Sequence, residues 1–304
     1  MTSLFKTIVF NNPRIISHMF KRSFTVAKLK PYETLAVSVP KPYVYHVELN
    51  RPQKSNAFTR VMWEEIGECF AALSNTAECR VIVLSGQGKN FTGGIDIQSL
   101  VQLATEADEL PDAARKARFH SNFIKYAQDT ITSLELCVKP VLSVVHSACV
   151  GAGVDLITAA DMRYCTEDAW FSVREVDVGL AADVGTLQRL PKVVGNTSVA
   201  REVCFTGRKF DAQEAKEIGL VSKVFPDKET AMKTVMDLAV NIASKSPIAV
   251  QTTKINLVYS QSRPNEDGLE HIRLLNAAMN QGEDLPKSAI AQATKSGPPE
   301  FDNV

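Results

Sequence analysis

The sequence lacks an excess of charge of either sign. Its 34 lysine and arginine residues are balanced by 34 aspartate and glutamate residues over 304 positions. A net charge of zero gives no overall attraction to nucleic acid or to an anionic membrane surface, so neither partner is expected. With 45% hydrophobic and 22% charged residues, the chain has the composition of a globular protein long enough to close a large core.

Paired cysteines and clustered histidines are also missing. The six cysteines show no C-x-x-C spacing and the five histidines are scattered, so neither a disulfide framework nor a zinc site is predicted. Nucleotide-binding motifs are incomplete. In SGQGKN, Asn90 stands where a phosphate loop needs serine or threonine, and in GAGVDL, Leu156 stands where a dinucleotide motif has its third glycine. No metal or redox cofactor is expected.

No apolar run is both long and uninterrupted. The most apolar window, residues 141–160, contains His146, Asp155 and two glycines. These residues favour a buried strand that leads into a buried helix over a membrane span. No membrane insertion is predicted.

Acidic residues are absent from the first 32 positions, which hold six lysine and arginine residues together with hydroxyl and phenylalanine side chains. A basic leader without acids is typical of a mitochondrial transit peptide. We therefore assign residues 1–32 to such a peptide and expect the protein in the mitochondrial matrix. The alternative is a disordered basic tail with no targeting role.

What the sequence does contain is an alternation of short apolar runs and helix-forming stretches. The runs at 43–50 and 79–86 are typical of strands, and residues 60–75 have the apolar spacing of a helix. This order predicts an α/β layered domain over residues 33–225. The remainder, residues 226–304, is nearly all helix-forming and predicts an appended helical region.

Two glycine-bearing turns each join an apolar strand to the start of a helix. They are NFTGGID, residues 90–96, and CVGAGVD, residues 149–155. Glycine lets the backbone approach a ligand closely, and the first amides of a helix have no partner within it. If the two turns met, their N–H groups would form an oxyanion hole. Either turn alone is only what ends many strands in α/β proteins.

Three stretches resemble the crotonase (enoyl-CoA hydratase/isomerase) superfamily and, within it, the dienoyl-CoA isomerases: NFTGGIDI, SACVGAGVDLITAADMRYCTEDAWFSVREVDVGLAADVGTLQRLPKVVGN and FTGRKFDAQEAKEIGLVSKVF. The resemblance covers about residues 40–290. It implies a spiral of ββα repeats with a C-terminal helical region that makes trimers, and hexamers built from paired trimers. It also implies acyl-CoA substrates, whose thioester oxygen would be held by the backbone N–H groups of Ile95 and Ala152.

The stretch REVDVGLAADVG, residues 174–185, sets three carboxylates among valine, alanine and glycine. A solvated loop would bring more polar company, so the composition predicts a buried segment. If AWFSVREVD is extended, Glu175 shares one side of the strand with Phe171 and Val173. The competing interpretation is an ion pair of Glu175 with Arg174 or Arg189, or an exposed turn.

The resemblance also assigns roles to these carboxylates. In the hydratases of the superfamily two glutamates act on one water, at positions that match 155 and 175. This chain has Asp155 and Glu175 there and adds Asp183 where hydratases have a small residue. Asp177 matches no catalytic position and is expected to be structural.

The expected reaction is the conversion of a 3,5-dienoyl-CoA to a 2,4-dienoyl-CoA, in the β-oxidation of unsaturated fatty acids. A base removes a proton from carbon 2 and an acid delivers one at carbon 6, so one carboxyl must be ionised while the other is protonated. We expect Glu175 to act at carbon 2, Asp183 to act at carbon 6 and Asp155 to tune the pair, although Glu175 and Asp183 could exchange roles. The alternatives are a 2-enoyl-CoA hydratase and a non-catalytic binding protein of the same fold.

Overall fold

The computed structural model describes residues 30–304 of the chain. The predicted transit peptide, residues 1–32, lies almost wholly outside the described residues and stays a prediction. None of the helices within the described part of the chain is long and apolar enough to cross a membrane.

Nine strands run through the described residues: β1 (Leu35–Lys41), β2 (Val44–Leu49), β3 (Val81–Gly86), β4 (Val141–Val145), β5 (Ala148–Val150), β6 (Met162–Thr166), β7 (Trp170–Ser172), β8 (Phe210–Asp211) and β9 (Lys223–Phe225). They form a six-stranded sheet of order β1-β2-β3-β4-β6-β9 and a three-stranded sheet of order β5-β7-β8. In the large sheet only β1 and β2 are antiparallel, and in the small sheet only β7 and β8.

Eleven α-helices occupy the same residues: α1 (Arg60–Ser74), α2 (Ile97–Asp108), α3 (Ala113–Leu136), α4 (Ala152–Thr158), α5 (Thr186–Val194), α6 (Thr197–Thr206), α7 (Ala212–Glu217), α8 (Lys228–Ala243), α9 (Pro247–Ser260), α10 (Asn265–Met279) and α11 (Asp284–Thr294). Short 3₁₀ helices lie at Pro52–Lys54 and Glu175–Val178. The predicted strands at 43–50 and 79–86 and the predicted helix at 60–75 are confirmed.

The apolar window 141–160 contains two strands rather than one. β4 lies in the large sheet and β5 in the small sheet, because the chain turns between them at Ser147, which has a left-handed φ of 50°. The Ser147 hydroxyl donates to Asn90 Oδ1 (3.0 Å), and its carbonyl accepts from Trp170 N (3.0 Å). The chain makes the same passage between the sheets from β6 to β7.

Helices cover both faces of the large sheet. On one face, α8 packs alanine and valine side chains against the β-branched residues of β3 and β4, in a cluster that includes Ala231, Val235, Val81 and Val83. The first helix after residue 226, α8, therefore belongs to the core. Only α9 to α11 extend beyond that core. The opposite face packs against α1 and α3 in the larger core and carries the turns described next.

Candidate active site

The two glycine-bearing turns lie side by side. Thr92, in the first turn, forms an isolated parallel bridge with Cys149 of β5. Its N–H donates to Ala148 O (2.9 Å), and its carbonyl accepts from Val150 N (3.2 Å). The small sheet thus brings together two turns that are more than fifty positions apart in the sequence, as the resemblance implied.

Ile95 lies near the end of the first turn, and its backbone amide has no partner among the described residues. Gly94 adopts a φ of 90°, and its carbonyl accepts from Phe58 N (2.8 Å), while Asp96 N donates to Phe58 O (3.0 Å). Between these two bonds, the N–H of Ile95 donates to no group of residues 30–304. Asp96 then caps α2 by accepting from Gln98 N (3.0 Å).

Ala152 is the first residue of α4 and also has a free amide. The residue before it, Gly151, has a φ of 52° and donates its N–H to Ser172 O (2.9 Å). As the first residue of a helix, Ala152 has no intrahelical acceptor. Its N–H donates to no other group in the described part of the chain. Two free N–H groups on adjacent turns are suited to bind one developing negative charge on oxygen.

Asp155 lies on α4, three residues after Ala152, and is fully buried. Its Oδ1 accepts from Thr186 N (2.5 Å), the first amide of α5. Its Oδ2 is buried and has no hydrogen-bond partner among residues 30–304. Burial raises the pKa of Asp155 to about 6, against the hydrogen bond from Thr186 N that lowers it.

Glu175 begins the 3₁₀ helix and lies against the second turn. Its Oε1 lies 3.0 Å from the point where a Cβ at Gly151 would stand. Its Oε2 is buried, and no group in the part of the chain that the structure describes bonds to it. Burial, followed by the charges of Asp155 and Asp183, raises the pKa of Glu175 to about 7. A carboxyl with that pKa can take up or release a proton at neutral pH.

The predicted strand position of Glu175 is wrong. β7 ends at Ser172 and the backbone turns into the 3₁₀ helix at Glu175–Val178, so the carboxyl does not share a strand face with Phe171. Neither Arg174 nor Arg189 forms the competing ion pair with Glu175. Arg174 bonds to Asp177 (3.0 Å), and Arg189 bonds to Glu135 (2.7 Å).

The prediction that residues 174–185 are buried is also wrong for the single chain. Val176, Val178 and Leu180 are between 41% and 49% exposed, because the 3₁₀ helix leaves the sheet and lies on the surface. Asp183 is exposed as well, and its backbone carbonyl is held by Gln128 Nε2 (2.7 Å). Partial burial still raises the pKa of the Asp183 carboxyl.

The three carboxyls therefore differ in their surroundings. Asp155 is enclosed, Glu175 is mostly enclosed beside the free amides, and Asp183 lies at the solvent edge, close enough that its charge raises the pKa of Glu175. Asp177 is exposed and paired with Arg174. Sequence reasoning missed Thr186, whose N–H holds Asp155; the signal for it was Gly185 immediately before a helix-forming stretch.

An α/β spiral that presents two free amides beside buried carboxyls defines a class of proteins that bind a carbonyl oxygen and move protons next to it. The chain belongs to the enoyl-CoA hydratase/isomerase family, which matches residues 41–302. The expected crotonase superfamily and its fold are confirmed by this match and by the solved structures that resemble the chain.

Two relatives and one structure illustrate the similarity. The chain is 49% identical over 266 residues to the mitochondrial Delta(3,5)-Delta(2,4)-dienoyl-CoA isomerase of Rattus norvegicus, a match that covers 87% of this chain and 80% of the relative. It is 43% identical to the peroxisomal Delta(3,5)-Delta(2,4)-dienoyl-CoA isomerase of Arabidopsis thaliana, covering 84% and 91% of the two chains. The enoyl-CoA hydratase of Bacillus anthracis has a TM-score of 0.79 at 25% identity, covering 88% of this chain and 99% of that one.

The raised pKa of Asp155 predicts a pH-dependent stability. The folded state holds the Asp155 proton up to about pH 6, whereas an unfolded aspartate releases it near pH 3.9, so this group makes the protein less stable as pH rises from about 4 through 6. Asp155→Asn keeps the acceptor for Thr186 N and cannot ionise. It should be more stable than the wild type at pH 8, by about 2–3 kcal/mol, with a much smaller difference at pH 4.

Urea unfolding at the two pH values measures this difference. Asp177→Asn, at an exposed position, is the control and should change stability by less than about 0.5 kcal/mol. An Asp155→Asn protein that is no more stable than the wild type at pH 8 would show that the carboxyl is not desolvated.

Proposed function

We propose that this protein isomerises 3,5-dienoyl-CoA thioesters to 2,4-dienoyl-CoA thioesters. The proposal depends on one juxtaposition, the free N–H groups of Ile95 and Ala152 next to the unpaired carboxyl of Glu175. The names of the rat and Arabidopsis relatives support the same reaction. No metal or redox cofactor is required, because CoA enters as part of the substrate.

The two amides supply the first element of the reaction. When the thioester oxygen accepts both N–H groups, the negative charge that develops after loss of a proton from carbon 2 is stabilised on that oxygen. Removing one such donor costs on the order of a hundredfold to a thousandfold in rate. The Asp96 cap and the Phe58 bonds hold the first amide in place before substrate binds.

Glu175 is the carboxyl placed for carbon 2. Its Oε1 lies 3.0 Å from the Cβ position of Gly151, the residue immediately before Ala152, so it is proposed to lie beside the site of the thioester oxygen. Carbon 2 is bonded to the thioester carbon and must occupy the same neighbourhood. With a pKa of about 7, Glu175 is a substantial fraction ionised at neutral pH and can accept this proton.

Asp183 is the carboxyl proposed to protonate carbon 6. It follows Glu175 by eight positions and lies at the solvent edge, on a segment fixed to α3 by the Gln128 bond. Carbon 6 is four carbons along the conjugated chain from carbon 2, so a second group away from the amides is needed there. Burial of Asp183 raises its pKa, which favours the protonated form that the step requires.

Asp155 acts through Glu175 in this proposal. Its charge raises the pKa of Glu175, and the hydrogen bond from Thr186 N fixes its own position. A negative charge on either carboxyl disfavours ionisation of the other. Asp155 and Glu175 together therefore keep one proton within the site.

The chain is further proposed to assemble with copies of itself and to act in the mitochondrial matrix. Support for assembly comes from large apolar side chains that the single chain leaves exposed on α10 and α11: Leu269 67%, Leu274 56%, Leu285 56% and Ile290 64%. Exposed apolar residues on this scale are typical of interfaces. Assembly that also covers Val176 and Leu180 would desolvate the neighbouring Asp183. The rat relative's mitochondrial name and the acid-free leader support the location.

Replacing Gly94 tests the oxyanion hole. A methyl group at this position would lie 2.9 Å from Val150 O, and the backbone φ is 90°. Gly94→Ala should therefore shift the Ile95 N–H and lower kcat roughly a hundredfold. Gly195→Ala is the control, because Gly195 also has a positive φ (64°) but no atom within 4 Å of its Cβ position. A Gly94→Ala enzyme with wild-type kcat would contradict the placement of the donor.

Isosteric replacement of the carboxyls tests their proton transfer. Glu175→Gln and Asp183→Asn should each lower turnover of 3,5-dienoyl-CoA by roughly a hundredfold or more while leaving binding of the thioester nearly unchanged. The product absorbs at longer ultraviolet wavelength than the substrate, so its formation is followed directly. A 2-enoyl-CoA assayed in parallel separates isomerisation from hydration.

The exposed Asp177→Asn provides the matched control and should retain wild-type turnover. Loss of activity in Asp177→Asn equal to that in Glu175→Gln would show that the assignment is misplaced. Wild-type protein that hydrates 2-enoyl-CoA and leaves the diene unchanged would identify a hydratase instead.

Light scattering on the eluting protein tests assembly. We expect a mass of three or six chains, because burial of the α10 and α11 side chains stabilises the assembly. A Leu269→Asp, Ile290→Asp double variant should shift the mass toward the single chain of 33.3 kDa. Wild-type protein that elutes as a single chain would refute the proposed self-assembly.

A further inference from the structure

We propose that Thr92 is the positioning residue of the oxyanion hole and that its hydroxyl sets the direction of the Ile95 N–H. The inference rests on the proposed function, since it assigns a role in binding the thioester oxygen. Thr92 is fully buried and touches both of the turns that supply the amides. It bears no group that would itself react with a thioester.

The hydroxyl of Thr92 makes two hydrogen bonds in opposite roles. It donates to Asn56 O (2.8 Å) and accepts from Gly94 N (3.1 Å). The carbonyl of Gly94 accepts from Phe58 N (2.8 Å). Gly94 is therefore held at both ends, although a glycine at a φ of 90° has little steric restraint of its own.

Holding the Gly94 carbonyl determines where the Ile95 N–H points. The carbonyl and the N–H belong to the same peptide plane and point in opposite directions in a trans peptide. A rotation of this plane would turn the donor away from its partner on the adjacent turn. The Phe58 N–H holds this plane directly, and the Thr92 hydroxyl holds the preceding plane, Gly93–Gly94, by accepting from Gly94 N, so both planes on either side of the Gly94 Cα are restrained.

The acceptor of the Thr92 hydroxyl is itself rigid. Asn56 is fully buried, and its Nδ2 lies within hydrogen-bonding distance of Gln87 O (2.9 Å), Asn90 O (2.9 Å) and Phe91 O (3.1 Å). Asn56 thereby fixes the loop that leads from β3 into the first turn. The Thr92 hydroxyl transmits this rigidity to Gly94.

The backbone of Thr92 sets the distance to the second amide, and its methyl group packs against the second turn. Its backbone pairs with Ala148 and Val150 of β5, and its Cγ2 lies 2.4 Å from the point where a Cβ at Gly153 would stand. Gly153 directly follows Ala152, so the methyl group of Thr92 fills the space that only a glycine leaves there. Thr92 thus contacts both of the turns that carry the two N–H donors.

Three substitutions separate the hydroxyl from the methyl group. Thr92→Val keeps the shape and removes both hydrogen bonds, Thr92→Ala removes both bonds without adding bulk, and Thr92→Ser keeps the hydroxyl and removes the methyl group. We expect Thr92→Val and Thr92→Ala to lower kcat for 3,5-dienoyl-CoA roughly a hundredfold, with a much smaller change in KM. Thr92→Ser should stay within about threefold of the wild type, because the bonds to Asn56 and Gly94 remain.

A spectroscopic measurement distinguishes positioning from general damage to the fold. Hydrogen bonds to the carbonyl oxygen of bound 2,4-dienoyl-CoA polarise the conjugated thioester and shift its absorption to longer wavelength. The wild type and Thr92→Ser should show this shift, and folded Thr92→Val should show less of it. Circular dichroism at the assay temperature identifies folded protein, and Thr92→Ala serves if Thr92→Val does not fold.

Two outcomes would overturn the inference. One is a Thr92→Ser protein that loses as much turnover and spectral shift as Thr92→Val, which would assign the role to methyl packing. The other is a folded Thr92→Val or Thr92→Ala protein with the wild-type shift and kcat. Failure of the proposed function is recognised separately, since wild-type protein would then leave the 3,5-diene unchanged whatever the spectrum of bound product.

Discussion

The active site depends on one contact, the short parallel pairing of Thr92 with the strand β5. This pairing joins a turn that follows the third strand to a turn that opens the helix α4. Each turn alone offers one unpaired amide, which is common wherever a helix begins. Once the turns are joined, the N–H groups of Ile95 and Ala152 lie on adjacent segments, and we propose that both donate to one thioester oxygen. A pair of fixed donors stabilises developing charge without reorganising during the reaction. The proposed positions of the thioester oxygen and of carbon 2 both follow from this pair of N–H groups.

The carboxyls show what such a site costs the folded protein. Asp155 Oδ2 and Glu175 Oε2 are both buried without partners within the described residues, and burial of an unpaired acid is unfavourable. Burial raises the two pKa values to about 6 and about 7, so that Glu175 is partly neutral at neutral pH and Asp155 becomes mostly neutral below about pH 6. The same desolvation that reduces stability gives the groups pKa values suited to proton transfer. Stability and reactivity are thus opposed at Asp155 and Glu175.

The sequence was sufficient to predict the alternating strands and helices and the α/β class, and to identify the two glycine-bearing turns. Local periodicity and glycine placement carry that information, and the resemblance pointed to Ile95 and Ala152. Placement of Glu175 was predicted wrongly, because strand alternation says nothing about where a strand stops, and β7 is only three residues long. The exposure of Val178 was missed for a related reason. Apolar composition predicts that a segment will be covered, but it does not say whether the same chain or another copy covers it.

The most direct test of the account is a crystal structure with a 2,4-dienoyl-CoA bound. The account predicts the thioester oxygen within about 3 Å of both Ile95 N and Ala152 N, carbon 2 against the Glu175 carboxyl, and carbon 6 facing Asp183. A thioester oxygen bound elsewhere, or an acyl chain that leads away from both carboxyls, would contradict it.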